Sequence, residues 1–205
     1  MASEQAKLQY FGLKGVVELT RYILALGDES YEDVRVSSEE FKEKRNEITL
    51  FGQMPILTVN GERYAQSDAI ARYYANKHNL AGSNAEEKLF ADMVVDAIRS
   101  DVFPLWRKAF MEKDEALKKQ YMEEMKAKLE SQLAALESLA KGESSFLASG
   151  LSWADVCLFN FIFDSCPPVQ YSLPESFKKL NAIVNSVKQN PKIAAWIEKR
   201  PSSSF

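Results

Sequence analysis

Residues 55–64 read Pro55-Ile56-Leu57-Thr58-Val59-Asn60-Gly61-Glu62-Arg63-Tyr64, and this stretch decides how the first part of the chain folds. Pro55 opens the apolar run Ile56 to Val59, which reads as a strand. Asn60-Gly61 supplies the positive φ angles of a two-residue type I′ turn, so Glu62 to Tyr64 should pair antiparallel with that strand. Toward the N-terminus, Lys7 to Phe11 reads as a short strand, and Val16, Leu19, Ile23 and Leu26 then recur at helical spacing. Tyr31 to Val36 alternates as a second strand, and the charged stretch Glu39 to Glu47 reads as an exposed helix. A further helix follows the hairpin, from about Ser67 to Lys77. The order β-α-β-α-β-β-α defines an α/β unit of the first eighty residues.

After Leu80-Ala81-Gly82-Ser83-Asn84 the pattern changes to helices alone, with Leu117, Tyr121, Met125, Leu129, Leu133 and Leu136 recurring every three or four residues. The expected organisation is therefore an α/β domain over 1–80 and an all-α domain over 85–205. Within the second, Val156 to Phe163 is apolar on nearly every side except Asn160, as expected of a helix buried at the domain centre. Ser152 is placed to cap that helix, Asp155 to bond back, and Leu151 to pack on Val156; Pro167-Pro168 is expected to end it.

The totals narrow the function classes. The chain has 205 residues with 46% hydrophobic and 11% aromatic content, enough for a substantial core. Its 26 basic and 29 acidic residues are mixed along the sequence, so no basic face points to nucleic acid. One histidine, His78, and two cysteines, Cys157 and Cys166, are poor material for a zinc site or a Ser-His-Asp triad. Too close together for a disulfide framework, the cysteines suit a reducing compartment. Met1-Ala2-Ser3-Glu4-Gln5 lacks the basic and apolar regions of a leader, and no run of about 18 apolar residues occurs. A cytoplasmic protein with no membrane partner is expected.

Four segments in this order carry a family resemblance: Tyr10-Phe11 at the end of the first strand, Phe51-Gly52-Gln53-Met54-Pro55-Ile56-Leu57, Gln66-Ser67-Asp68-Ala69-Ile70-Ala71-Arg72-Tyr73, and Ser152-Trp153-Ala154-Asp155. The chain resembles the cytosolic glutathione transferases, which join a thioredoxin-like α/β domain to an all-α domain. Asn190-Pro191 and Trp196-Ile197-Glu198-Lys199-Arg200-Pro201 are similar to the tail of sigma-type members, which include the glutathione-dependent prostaglandin D synthases and the S-crystallins.

The resemblance implies glutathione as co-substrate, no tightly bound cofactor or metal, a hydrophobic electrophile as second substrate, and a homodimer. It makes Tyr10 the catalytic donor that holds the glutathione thiolate. It also implies a cis Met54-Pro55 bond, with Met54 offering its backbone to the cysteinyl part and Gln53 and Pro55 beside it. Gln66 and Ser67 would hold the γ-glutamyl carboxylate at a helix start, where partial positive charge favours an anion. Phe41 falls near the glycyl end, and Lys44 or Arg45 would pair with the glycyl carboxylate. Leu13, Phe103 and Trp106 are the expected walls of the electrophile site.

Two positions depart from the sigma pattern. Val16 stands where those enzymes commonly carry an arginine supporting phenol and thiolate, with Lys14 nearby. Along the first helix of the second domain the family often has three acids at four-residue spacing, where this chain has Asp92, Asp96 and Ser100, with Asp101 next door. An enzyme is the leading expectation; a non-catalytic crystallin-like or ligand-binding relative and a prostaglandin isomerase are the alternatives.

Overall fold

Alternating sequence in the first part of the chain yields β1 (Ala6–Phe11), β2 (Tyr31–Val36), β3 (Ile56–Val59) and β4 (Glu62–Ala65). In the computed structural model, which describes residues 5–203, β1 pairs in parallel with β2 and antiparallel with β3. The last two form an antiparallel hairpin, giving the spatial order β2-β1-β3-β4. Met1 to Glu4, read above as lacking a leader pattern, lie outside the described residues. The hairpin turn has φ of 51° at Asn60 and 79° at Gly61, the double positive that the sequence demands.

The parallel pair needs a crossover, and α1 (Glu18–Leu26) supplies it. The periodic run from Val16 begins not as α-helix but as a 3-10 turn, Gly15–Val17, before α1 proper. The charged segment forms α2 (Ser38–Ile48), none of whose residues is buried, and Ser37 caps it by accepting the Glu40 N–H at 3.0 Å. α3 (Ser67–Lys77) follows β4.

From residue 85 onward the regular elements are helices: α4 (Ala85–Arg99), α5 (Phe103–Met111), α6 (Glu115–Leu139), α7 (Trp153–Asn160), α8 (Lys178–Gln189) and α9 (Pro191–Lys199). Every residue of α7 is buried, which explains its nearly uniform apolar sequence. Its start carries the expected capping box: the Ser152 N–H and hydroxyl each donate to Asp155 at 2.7 Å, and the Phe146 N–H donates to the other carboxylate oxygen at 2.6 Å. The helix does not run on as α to the double proline. It rewinds to a π-helix over Phe161–Ser165, with the Cys166 N–H reaching back to the Phe161 carbonyl at 3.0 Å, then ends in a 3-10 turn at Pro167–Val169. The rewound segment sets Asp164 where it accepts from the Tyr22 hydroxyl at 2.8 Å and from Arg200 at 2.9 Å. No helix among the described residues is long and apolar enough to cross a membrane.

Burial pushes the Asp155 carboxyl up to about 6 against its three hydrogen bonds. A group whose folded value lies above its unfolded one contributes stability that is complete below the unfolded value, about 3.9 for aspartate, and lost as pH rises through the folded value. Relative to Asp155→Asn, the wild-type chain is therefore expected to lose stability between about pH 4 and pH 6. Urea unfolding of both proteins across that window checks this; a difference that stays flat or grows with pH contradicts it.

Candidate active site

The carboxyl end of β1, the loop before β3, the β4–α3 junction and the inner face of α5 converge on one cleft of about 410 Å³. Tyr10 is the last-but-one residue of β1 and is 7% exposed. Its ring meets Phe11 edge-on at 5.4 Å, and Phe11 meets Phe41 of α2 at 5.1 Å, so an aromatic chain links β1 to that helix. Gly15 (φ +50°) lies directly over the phenol: a Cβ there would stand 2.6 Å from the hydroxyl oxygen, so only glycine lets the loop close on the ring.

Burial raises the Tyr10 pKa above its ordinary value, while the Val16 backbone and the charges of Arg21, Arg99 and Arg107 pull the other way. The net result is a phenol that keeps its proton at neutral pH in a field favouring nearby negative charge. The loop after Tyr10 is tethered from α1: Arg21, wholly buried, donates to the Leu13 carbonyl at 2.9 Å and pairs with Glu18 and Asp33, each at 3.0 Å.

Met54-Pro55 is cis. Gln53 and Met54 line the cleft, and neither makes a hydrogen bond among the described residues. At the β4–α3 junction Gln66 has φ 74° and precedes the first turn of α3; Ser67 lines the cleft beside it. Exposed N–H groups at that helix start suit a carboxylate.

Of the two candidate cations in α2, Arg45 braces the cleft wall, donating to the Gly52 carbonyl at 2.8 Å with its guanidinium 5.9 Å from the Phe41 ring. Lys44 instead pairs with Glu40 at 3.6 Å on the exposed side of α2. Phe103 and Trp106 stand on the α5 wall, stacked at 5.1 Å, with the Trp106 ring N–H donating to the Ser165 carbonyl at 2.7 Å. Leu13 does not line this cleft. Arg21 holds its carbonyl inward, and the residue borders a separate depression with Arg35 and Val36.

Position 16 reads differently in three dimensions. Val16 is a partly buried wall residue, and Arg99, at the end of α4, brings a guanidinium to its carbonyl at 3.2 Å. Arg99 also donates to Ser67 at 3.1 Å and to Asp68 at 2.8 Å, and it lies 5.0 Å from the Phe103 ring. Lys14 is turned away to Asp164 at 3.5 Å. Asp101 is engaged by α6, accepting from Gln132 at 2.7 Å and pairing with Lys128 at 3.3 Å, so it does not extend the α4 acids toward the cleft.

Arg99, Arg107, Phe110 and Met111 lie outside the sequence-based set. A signal for Arg99 exists: it falls one turn after Val95 on the buried stripe of α4 that also holds Ala91, Val94 and Ile98, and an arginine on such a stripe needs a partner. Arg107, Phe110 and Met111 carry no comparable mark.

A mixed four-stranded sheet joined to a helical domain, with Tyr10 and a cis-proline edge on one cleft, is matched by known family models. Models described as "Glutathione S-transferase, N-terminal domain" and "Glutathione S-transferase, C-terminal domain" match residues 6–76 and 100–200. The chain belongs to the glutathione S-transferase family. It is 36% identical to "Glutathione S-transferase 2" of Manduca sexta over 200 residues, covering 96% of this chain and 97% of that protein. It is 34% identical to "Hematopoietic prostaglandin D synthase" of Gallus gallus over 204 residues, 97% of this chain and 98% of that one. The solved prostaglandin synthase D of Nilaparvata lugens superposes with a TM-score of 0.87 at 32% identity, covering 98% of this chain and all of that one.

Proposed function

We propose that this chain transfers glutathione to hydrophobic electrophiles, with Tyr10 donating its hydroxyl hydrogen bond to the glutathione thiolate. The observation that carries the reading is that the buried Tyr10 lines one cleft together with Gln53, the cis Met54-Pro55 edge, Gln66 and Ser67. A thiol near pKa 8.5 is only a few per cent ionised at neutral pH, and lowering it by about two units requires roughly 2.7 kcal/mol. A hydrogen bond to a charged group contributes about 1.5–3 kcal/mol, so one phenol supplies most of that requirement. The thiol proton leaves to solvent, the sulfur forms a bond to the electrophilic carbon, and the leaving group departs with its bonding pair, while Tyr10 keeps its own proton.

In this reading Met54 pairs with the cysteinyl backbone like an added strand, with Gln53 and Pro55 alongside. Gln66 and Ser67 receive the γ-glutamyl carboxylate, and Arg45 with Phe41 receives the glycyl end, Lys44 standing back. Arg99 takes the supporting role that the resemblance assigns to an arginine at position 16. Phe103 and Trp106 face the electrophile. The first eighty residues are the glutathione-binding domain and residues 85–205 the helical one. Leu89 and Met93, one turn apart and exposed on α4, together with exposed Tyr73 on α3, suit a homodimer face. Cytoplasmic residence fits two buried, unbridged cysteines.

Conjugation of glutathione to 1-chloro-2,4-dinitrobenzene, followed by absorbance, tests the activity, with the melting temperature measured with and without glutathione. Turnover with stabilisation supports the proposal. Stabilisation without turnover moves the chain to the non-catalytic class, and neither removes glutathione from the account. The prostaglandin D synthases among its relatives favour a second reading, isomerisation of a prostaglandin endoperoxide, checked by product analysis on the same protein.

A further inference from the structure

One cation on the cleft is left without an intramolecular role. Arg99 is committed to Asp68, Ser67 and the Val16 carbonyl, and Lys108 sits over the Tyr121 ring at 3.6 Å. Arg107, between them on the cleft side of α5, is exposed and makes no hydrogen bond or ion pair with any described residue. It lines both the main cleft and the adjoining hollow formed with Phe103, Pro104 and Met111. Among the described residues the one acid lining either space is Asp68, already held by Arg99 at 2.7 Å. The result is an apolar wall carrying a single unneutralised guanidinium. Its charge is close enough to act on the Tyr10 hydroxyl.

We infer that Arg107 is a specificity residue selecting electrophiles that carry a carboxylate beside their apolar body. This rests on the transferase reading above. The apolar part of such an acceptor packs on Phe103 and Met111, and its carboxylate takes the planar N–H fork of Arg107, which matches it in two-point geometry. In the transferase reading glutathione's own two carboxylates are assigned to Ser67 and to Arg45, which leaves Arg107 to the second substrate.

The probes are a benzylideneacetone with a para-carboxylate and its methyl ester. Both react by one Michael addition: sulfur bonds to the β-carbon, the alkene pair moves to the carbonyl oxygen as an enolate, and the α-carbon then takes a proton from water. The readout is the ratio of kcat/KM for acid over ester. In Arg107→Gln this ratio is expected to fall roughly fivefold to tenfold, the change residing in the KM of the acid, as for the loss of one partly exposed charged contact. Arg107→Lys should keep part of the preference. Lys119→Gln, an equal charge change at an exposed site of α6 that lines neither the cleft nor the hollow, should leave the ratio unmoved. Raising salt should lower the wild-type ratio toward that of Arg107→Gln. A ratio within twofold of wild type in Arg107→Gln overturns the inference. So does an equal loss for both probes with a raised KM for glutathione, which would make Arg107 a glutathione contact. In both of those results the wild type still conjugates the ester, so the transferase reading survives; absence of any conjugation by wild type defeats both.

Discussion

Tyr10→Phe is expected to lower turnover by roughly tenfold to a hundredfold, the equivalent of one hydrogen bond to a charged sulfur at about 1.5–3 kcal/mol. The substitution removes a single oxygen. The ring keeps its burial and its edge contact with Phe11, so the melting temperature should stay close to wild type. Glutathione affinity should also persist, because the groups at Gln53, Met54, Gln66 and Ser67 are untouched. With the phenol gone, the bound thiol ionises at higher pH, and the thiolate absorbance of the complex should titrate upward. Unchanged turnover would assign activation to another group, Arg99 being the first candidate by position.

A larger loss of stability is expected from Arg21→Leu. Arg21 is 0% exposed and Glu18 is 1% exposed, so each is far from solvent. Glu18 does not rest on Arg21 alone: its other carboxylate oxygen accepts from the Trp196 ring N–H at 2.7 Å and from Arg200 at 2.9 Å. Removing the guanidinium still leaves one buried carboxylate oxygen and the Leu13 carbonyl without their donor. Breaking one partner of a buried ion pair costs about 3–5 kcal/mol, and for a chain of this length that lowers the melting temperature by roughly 6–20 °C. The Leu13 carbonyl belongs to the loop that closes Gly15 over Tyr10, so turnover should fall as well at temperatures where the variant remains folded. Thermal unfolding together with conjugation kinetics measures both. A shift under about 2 °C would mean that Arg35 and Arg200 already neutralise the cluster without Arg21.

What the sequence made legible was local in origin. Asn60-Gly61 specified its hairpin because few other residue pairs reach two successive positive φ angles. Ser152 and Asp155 marked a helix start because the box closes within four residues. Tyr10, the Gln53-to-Pro55 edge and the Gln66-Ser67 helix start, named from the ordered segments, all line one cleft. The resemblance extended this reading to Phe41, Phe103 and Trp106, which border the same space, whereas Leu13, its carbonyl held by Arg21, borders the neighbouring depression with Arg35 and Val36.

Sequence by itself determined the strands, the hairpin, the change to helices after Asn84 and the capped central helix, since each depends on residue spacing and backbone preference over a few neighbours. Tertiary structure decided where the charges went. Arg99 reaches Val16 across 83 residues, Trp106 reaches Ser165 across 59, and Lys14 turns to Asp164 instead of the phenol. Arg45 rather than Lys44 braces the cleft, and the double-proline helix rewinds over Phe161–Ser165. The reason is physical: a long charged side chain can reach partners far outside its own segment, and burial forces it to pair with whatever polar group packing brings within reach.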